Sequence, residues 1–251
     1  MRVNTLPIIF QDEHMVAINK PSGLLVHRSK IDRHETRFAL QMLRDQLGQH
    51  VYPVHRLDKP TSGVLLFALS SNIAQLLSES FANNEVNKTY LAIVRGWCEE
   101  QGSIDHALKE QLDKMTDKRS RTDKPAQEAM THFKRLATVE LPFAVDKYPQ
   151  SRYSLIEAKP VTGRKHQIRR HFKHIAHPII GDAKHGKGLH NRFFQSQFNC
   201  HRLLLACTEM SIPHPLSKDT VTLKAPLDDI FTAVIEQLDW SSSITKQPTI
   251  K

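Results

Sequence analysis

The stretch that decides the fold is VHRLDKPTSG, residues 54–63. It lies between a turn-forming GQHV and an apolar run that begins at Val64 and is typical of a buried strand. We therefore predict a loop at the end of a sheet, a common position for catalytic residues. Asp58 has the cations Arg56 and Lys59 as close neighbours, and nearby positive charge favours an ionised carboxylate. Taken alone, an aspartate before a proline is better explained as a turn-capping residue.

Short segments with the residue content of strands occur on both sides of this loop. They are residues 15–19, 64–70, 88–94 and 153–159. Helical spacing of apolar residues occurs over 40–47, 73–81 and 230–238, with Thr36, Ser71 and Asp228 or Asp229 as candidate N-caps. Because strands and helices do not alternate and no long βαβ repeat is evident, we predict an α+β fold with a mixed, largely antiparallel sheet and flanking helices.

Length and composition exclude several classes of protein. With 251 residues, 39% of them hydrophobic, the chain can bury a sizeable core, and we predict one domain over 1–240. The half-charged segment 102–124 is predicted to be an exposed excursion and 241–251 a disordered tail. The longest apolar run is too short to cross a bilayer, and the first residues do not resemble a signal peptide. Three cysteines without a CxxC pair argue against disulfides, so a cytoplasmic location is expected.

Positive charge is concentrated in one segment. The chain has 35 lysines and arginines against 26 aspartates and glutamates, a formal net charge of +9. Residues 159–192 contain nine of the cations and a single acid, Asp182, so 9 − 1 = +8 of that surplus lies there. Such a concentration predicts contacts with a phosphate backbone. A solvated protein surface is the alternative, and charge alone leaves the two about equal.

Four blocks of sequence, taken in order, are similar to pseudouridine synthases of the RluA type. They are NKPSGLLVH (19–27), HRLDKPTSG (55–63), NKTYLAIVRG (87–96) and KPVTGRKHQIRRHFKHIAHPIIGD (159–182), and the resemblance covers about residues 8–226. It implies a central RNA-binding cleft in one catalytic domain, without a separate N-terminal RNA-binding domain. It also implies isomerisation of uridine to pseudouridine in structured RNA, with uridine 65 in the T-stem of tRNA as the expected target. Ala206 replaces a histidine of many relatives, which we expect to affect packing rather than activity.

The resemblance further implies roles for single residues. Asp58 is the expected catalytic residue, and Arg169 is expected to form an ion pair with it. Tyr90 is expected to stack on the uracil and to assist proton removal at C5, while Ile168 packs against the base. The expected RNA-binding residues are His55, Arg56, Arg164, Lys165, Arg170 and Lys173. The residues alone leave open that Tyr90 is ordinary strand packing and that Arg169 is one more solvent-facing RNA contact.

Uridine isomerisation requires few catalytic groups. It breaks the N1–C1′ bond, turns the uracil and joins C5 to C1′ without redox change, so no cofactor and no metal are expected. Glycosidases generally use a second carboxylic acid, whereas here the base stays bound and water must be kept out. One carboxylate is therefore sufficient. Whether it attacks C1′, adds to C6 or removes a sugar proton stays open.

Other residue patterns in the chain suggest other functions. A metal site would use the histidines of 166–177, but their spacing spreads them around a helix. A hydrolase would use His55, Asp58 and Ser62, yet the chain has no GxSxG motif. The segment GDAKHGKG (181–188) is neither a Walker loop nor a dinucleotide motif, so no nucleotide cofactor is expected. A ribosomal RNA pseudouridine synthase and a non-catalytic RNA-binding or RNA-folding protein remain as alternatives. We expect a monomer whose partner is RNA and which does not bind membranes.

Overall fold

The computed structural model describes residues 5–28, 34–110 and 125–245. Ten strands in these ranges form one sheet: β1 (Ile8–Gln11), β2 (Met15–Lys20), β3 (Tyr52–Pro53), β4 (Ser62–Ala68), β5 (Asn87–Arg95), β6 (Gln101–Asp105), β7 (Met130–Leu141), β8 (Ser151–Pro160), β9 (Leu205–Pro213) and β10 (Thr220–Lys224). The helices are α1 (Ala39–Leu47), α2 (Ser71–Ala82), α3 (Gln167–His174), α4 (Gly188–Phe198), α5 (Asp229–Gln237) and α6 (Ser241–Thr245). None of the described helices is long and apolar enough to cross a membrane.

The sheet is mixed and largely antiparallel, which confirms the predicted fold class. Its main path runs β1-β2-β4-β9-β5-β8-β7-β6, with β3 paired to β4 and β10 to β9. Among these strands β4 and β9 are the parallel pair, and they meet at Ser62–Ala206 and Gly63–Cys207. Gly63 has a φ of +108°, and a Cβ there would lie 2.0 Å from the Cys207 carbonyl oxygen. The glycine that ends HRLDKPTSG therefore permits the close approach that places this loop at the middle of the sheet.

Helices cover both faces of the sheet and bury two apolar clusters. On one face, α1, α2 and α3 pack with residues such as Leu43, Leu77 and Phe172. On the other face, α4 and α5 pack with residues such as Phe194 and Phe231. Successive side chains of β5 alternate between the two clusters, as the two-residue period of a strand requires. The two faces fix the orientation of β5, whose first half borders the site described below.

The four strands predicted from the sequence are present as β2, β4, β5 and β8. The predicted N-caps are correct only at Asp228, which accepts from Phe231 N. Helix α1 begins after Phe38 without a side-chain cap, and Ser70 rather than Ser71 caps α2. Local sequence identifies a helix better than its first residue, because several neighbouring polar residues can serve as caps.

Two further predictions are corrected in part. Residues 241–245, predicted as disordered tail, form α6, and 246–251 lie outside the described residues. The predicted excursion over 102–124 begins inside β6, where Ile104 is buried and pairs with β7, whereas 111–124 are not described. The mixed charges of this segment do not predict a strand, because Ile104 is the one apolar residue of β6 that faces inward. Ala206 is buried in the second apolar cluster, so its position is one of packing.

Candidate active site

A cleft of about 470 Å³ opens where β4, β5 and α3 approach one another. Three segments that are distant in sequence supply most of its lining: the loop 54–61 before β4, the start of β5, and residues 160–169 at the start of α3. Asp58, Tyr90 and Arg169 all contribute to its lining. The fold thus brings together the three residues that the sequence predicts as catalytic.

The loop that carries Asp58 is held through its backbone. A turn closes it, in which Thr61 N donates to Asp58 O at 3.0 Å. The 19–27 segment supports it from one side, since Gly23 N donates to Lys59 O at 2.8 Å and Ser22 Oγ donates to Pro60 O at 2.7 Å. Two of the predicted motifs are therefore in direct contact, and one positions the other.

Lys20 is a buried support of the same loop that the sequence did not single out. Its side chain is fully buried, and Nζ donates to the carbonyl oxygens of Pro21, Leu24 and Lys59 at 2.8 to 3.2 Å. Burial and the charge of Arg202 lower its pKa to about 7, against an opposing effect of Asp58. Three carbonyl acceptors match the three donors of an ammonium group. This lysine ties the first motif to the Asp58 loop.

Arg169 links Asp58 to a second carboxylate. Its Nη1 donates to Asp58 Oδ2 at 2.9 Å, while Nε and Nη2 donate to the two oxygens of Asp182 at 2.7 and 2.9 Å. The arginine is only 5% exposed. Burial lowers the pKa of Arg169, but hydrogen bonds and charge from Asp182 and Asp58 outweigh it, and the net shift is upward. The planar guanidinium therefore holds the Asp58 carboxylate in one orientation.

Asp182 was not predicted as a site residue. It is 2% exposed, and besides Arg169 its carboxylate accepts from the backbone N–H groups of Lys184 and His185 at 2.9 Å each. Burial raises the pKa of Asp182, but the arginine and these donors outweigh it and the pKa is lowered. The signal was present in the sequence, because Asp182 is the one acid among nine cations in 159–192.

Tyr90 projects from β5 into the cleft and is 9% exposed. Tyr90 pairs with Cys207 of β9 in the sheet. Burial, with smaller contributions from Cys207 and Asp58, raises the pKa of Tyr90 well above its ordinary value. A neutral phenol is suited to stacking and hydrogen bonding, and the part of Tyr90 in proton removal stays a prediction. Ile168, 7% exposed, adds an apolar wall to the same cleft.

Lys88 is a cleft residue that sequence reasoning missed. It lies two residues before Tyr90, and its Nζ is 5.8 Å from the centre of the Phe81 ring. Within the described ranges it has no carboxylate within ion-pair distance, and burial lowers its pKa. A partly buried cation without a described counter-ion is suited to an anionic ligand. The motif NKTYLAIVRG contained this signal beside the tyrosine.

The predicted RNA-binding residues occupy different environments. Arg56 and Arg164 are exposed at the rim of the cleft, and Lys173 is exposed on α3. Lys165 and Arg170 are half-buried. Together they give the cleft and its margin positive charge.

His55 lies inside this region as a neutral ring. Its Nε2 accepts a hydrogen bond from Leu66 N at 2.9 Å, and the ring stacks on Phe81 with centroids 4.9 Å apart. Burial, and to a lesser extent Lys88, lowers the pKa of His55 to about 3. The histidine fixes the loop to β4, and its contact with RNA stays a prediction.

The histidines that could have formed a metal site have different hydrogen-bond partners. His166 pairs with His185, His171 with Thr131, and His177 with the backbone of Arg95. No three metal-ligating side chains come together in the part of the chain that the structure describes.

The hydrolase alternative also fails on geometry. His55 accepts from Leu66 N, whereas Ser62 Oγ accepts from Arg202 at 2.9 Å. Neither side chain is directed at the other, so they form no relay with Asp58.

Among its described lining residues, the cationic cleft contains one carboxylate, and a buried arginine holds it. The family model described as RNA pseudouridylate synthase matches residues 14–174. This chain belongs to that family and is an RNA pseudouridine synthase.

Similar proteins agree over nearly the whole chain. The tRNA pseudouridine synthase C of Vibrio parahaemolyticus is 52% identical over 96% of this chain and 98% of its own length. That of Yersinia pestis is 51% identical over 94% of this chain and 92% of its own. Among solved structures, human RNA Pseudouridylate Synthase Domain Containing 4 is similar with a TM-score of 0.70 and 24% identity, covering 93% of each chain. The structural likeness supports the fold.

Proposed function

We propose that this enzyme converts uridine 65 in the T-stem of tRNA to pseudouridine, with Asp58 as the catalytic residue. The relatives named tRNA pseudouridine synthase C support tRNA as the substrate, and the resemblance found in the sequence supports position 65. The proposal includes one catalytic domain over 1–240 that acts as a monomer in the cytoplasm.

One observation carries the catalytic assignment. Among the described residues that line the cleft, Asp58 is the only carboxylate, and its Oδ2 lies 2.9 Å from Arg169 Nη1. Glycoside hydrolysis uses two carboxyl groups, one of which protonates the leaving group or activates water. A site with one carboxylate fits a reaction in which the leaving base is retained and rejoined. The side chain contributes an oriented anion beside C1′.

A uridine in a stem must leave its stack before Asp58 can reach the sugar. Extruding a base costs a few kcal/mol, which stacking and hydrogen bonds in the pocket can offset. Tyr90 supplies an aromatic face and Ile168 an apolar wall, while Arg56 stands at the rim where a phosphate or the displaced strand would pass. Lys88 supplies positive charge inside the cleft, where uracil becomes anionic when the N1–C1′ bond breaks.

The test is tritium release from tRNA labelled with [5-³H]uridine, in the presence of a metal chelator. We expect the wild-type enzyme to release tritium in chelator and Asp58→Asn to release none, with RNA affinity within a few-fold of wild type. Near wild-type release by the variant would refute the assignment of Asp58. Loss of wild-type release in chelator would favour a metal-dependent reaction.

The target nucleotide needs its own control. A tRNA in which uridine 65 is replaced by cytidine is expected to lose the modification completely. Pseudouridine mapping of tRNA and ribosomal RNA from cells with and without the gene separates the two substrates. A change confined to ribosomal RNA would establish the alternative substrate, and no change in either RNA would favour a non-catalytic RNA-binding role.

A further inference from the structure

Gln167 is a buried amide at the first residue of α3. It is 4% exposed, lines the cleft and stands two residues before Arg169. Its Nε2 donates to Met130 O at 2.9 Å and to Thr131 Oγ1 at 3.1 Å, at the start of β7. The first turn of α3 is therefore fastened to β7 by this side chain.

The carbonyl end of the same amide holds the turn before α3. Gln167 Oε1 accepts from Thr162 Oγ1 at 2.8 Å and from Arg164 N at 2.9 Å. A glutamine amide has two N–H donors and an oxygen with two acceptor positions, so all four are used on protein groups. A buried polar group that is fully satisfied in this way has one favoured arrangement. Gln167 thus fixes the backbone of Arg164 relative to β7.

The side chain of Arg164 is anchored at one nitrogen and open at the other two. It is exposed at the rim of the cleft, and its Nε donates to Glu128 O at 3.1 Å. Among the described residues, Nη1 and Nη2 have no acceptor and no carboxylate lies within ion-pair distance. The end of a guanidinium presents two donors that match two oxygens of a phosphate. An arginine already held at Nε also loses less freedom when it binds a ligand.

Arg164 is the arginine of the basic segment that the cleft leaves for a ligand. Within 159–192, the arginines that line the cleft are Arg164 and Arg169, and Arg169 is bound by two carboxylates. A target uridine enters the cleft only after its base leaves the stack, so its flanking phosphates pass over the rim. Arginine contacts to phosphate fix the register of a nucleic acid without reading its bases. The geometry therefore favours a phosphate as the ligand of Arg164.

We propose that Arg164 binds a phosphate that flanks the target uridine and that Gln167 is the positioning residue that holds Arg164 at the rim. The inference rests on the proposed function and deepens it. Without the amide, the turn 162–166 loses its two bonds to Gln167, and Arg164 has more conformations to lose when the strand binds. Gln167 itself carries no charge. A change in the salt dependence of RNA binding on its removal therefore has to come from a cation that it positions.

The experiment measures equilibrium binding of full-length tRNA over a range of salt concentrations, in the Asp58→Asn background so that the target stays uridine. Gln167→Met keeps a long unbranched side chain and removes the four hydrogen bonds. We expect binding to weaken about tenfold, as for the loss of one hydrogen bond to a charged group. The salt slope is expected to fall by roughly 0.7 to 0.9 log units, the value of one phosphate contact. Arg164→Gln is expected to give the same two changes.

A double-mutant cycle tests whether the two residues act together. Gln167→Met combined with Arg164→Gln should bind no more weakly than Arg164→Gln alone, because both remove the same contact, whereas its combination with Lys173→Gln should be additive. Gln46→Met is the matched control, since the Gln46 amide exchanges two hydrogen bonds with the Leu6 backbone at 2.7 and 3.1 Å, outside the cleft. It is expected to lower stability to heat and to leave tRNA affinity and salt slope unchanged.

A second variant covers the case in which Gln167→Met does not fold. Thr162→Val removes one of the two donors to Gln167 Oε1 at a half-buried position, and it is expected to reduce the salt slope in the same direction. An unchanged slope in Thr162→Val would then overturn the positioning role.

Other outcomes would also overturn the inference. An unchanged slope in Arg164→Gln would remove the phosphate contact. Weaker binding of Gln167→Met with an unchanged slope, or additivity with Arg164→Gln, would reduce Gln167 to a purely structural residue. These failures leave the proposed function intact, whereas a wild-type enzyme that forms no pseudouridine at position 65 refutes that function.

Discussion

Arg169 and Arg170 are adjacent and identical in type, yet they occupy opposite environments on α3. Arg169 is 5% exposed and donates to two carboxylates, Asp58 and Asp182. Arg170 is half-buried, and no described carboxylate lies within ion-pair distance of it. One residue along a helix turns the side chain by about 100°. Position on the helix, rather than charge, therefore separates a structural and catalytic support from a surface cation.

The difference is also energetic. Charges removed from water are costly, and they are tolerated where partners satisfy them. The guanidinium of Arg169 uses Nε, Nη1 and Nη2 on carboxylate oxygens, and Asp182 adds two backbone donors. The exposed Lys173 pays no such cost and is available to a phosphate. Substitutions in the buried network should therefore change stability and turnover, whereas substitutions of exposed cations should change RNA binding.

The largest effect is expected at Asp182. Asp182→Asn removes the charge opposite Arg169 and leaves a buried cation with one carboxylate, so the free energy of unfolding should fall by about 3 to 5 kcal/mol. Urea denaturation measures this change. The control is Asp146→Asn, because Asp146 is partly exposed and lies 3.6 to 3.8 Å from Lys187 and Arg95. Equal losses in both variants would show that burial of the Arg169 network adds nothing.

Arg169→Lys tests the comparison directly. Lysine keeps the positive charge but loses the planar fork, and one charged hydrogen bond is worth about 1.5 to 3 kcal/mol, so turnover should fall about ten- to hundredfold. RNA affinity should change little. Arg170→Lys keeps a surface cation and is expected to change turnover less than twofold. If single-turnover kinetics show the same change for both variants, Arg169 is merely another phosphate contact.

The cations around α3 that do not contact Asp58 should control binding rather than chemistry. Replacing Lys165, Arg170 and Lys173 together by glutamine should weaken tRNA binding and flatten its salt dependence by roughly 0.7 to 0.9 log units per lost phosphate contact. The rate at saturating tRNA should stay near wild type. Binding measured over a range of salt concentrations gives the slope. An unchanged slope would place the RNA path on another surface.

The smallest effect at neutral pH concerns His55 in the Asp58 loop, because its contribution appears only as the pH falls. Burial lowers the pKa of His55 from 6.5 to about 3, so between these values the unfolded chain binds the extra proton and the folded protein does not. The free energy of unfolding should therefore decrease as pH falls from 6.5 towards 3, by up to about 1.4 kcal/mol per pH unit from this group. His55→Gln should show a shallower decrease in urea titrations at each pH. Above pH 7 the two proteins should respond to pH in parallel, and a parallel response at lower pH would exclude this role of His55.

Sequence reasoning reached the fold class, four of the ten described strands, three of the six described helices and part of the site. The strands β2, β4, β5 and β8 and the fold class could be predicted because apolar alternation and turn residues are local signals. The other six described strands are not predicted: β1, β3, β6, β7, β9 and β10. Most of these are short or half-exposed, and such strands have a weak pattern. Helix starts were misplaced at Thr36 and Ser71, where neighbouring residues compete as caps.

Residues that act through a partner were harder to find. Asp182 and Lys20 have no motif of their own. Their roles follow from contacts in the folded protein, where Asp182 binds Arg169 and Lys20 binds the Asp58 loop. The sequence offers His166 as a metal ligand, and nothing local pairs it with His185, although the two rings are 3.0 Å apart. Lys88 was overlooked beside Tyr90, because a lysine at the start of a strand is ordinarily a solvated end. In each case the side chain and its partner lie on different elements of the fold, so local sequence cannot show the contact.

The amino-acid sequence by itself determined the class of fold, the family and the identity of Asp58 as the central carboxylate, because those signals are contiguous motifs and local periodicity. Only the tertiary structure decided which cations are buried and which carboxylates they meet. It alone placed Arg169 between Asp58 and Asp182 and His166 against His185, at 2.7 to 3.0 Å. The physical reason is that desolvation and hydrogen bonding depend on distances between segments far apart in the chain, and these distances exist only once the sheet and α3 have packed.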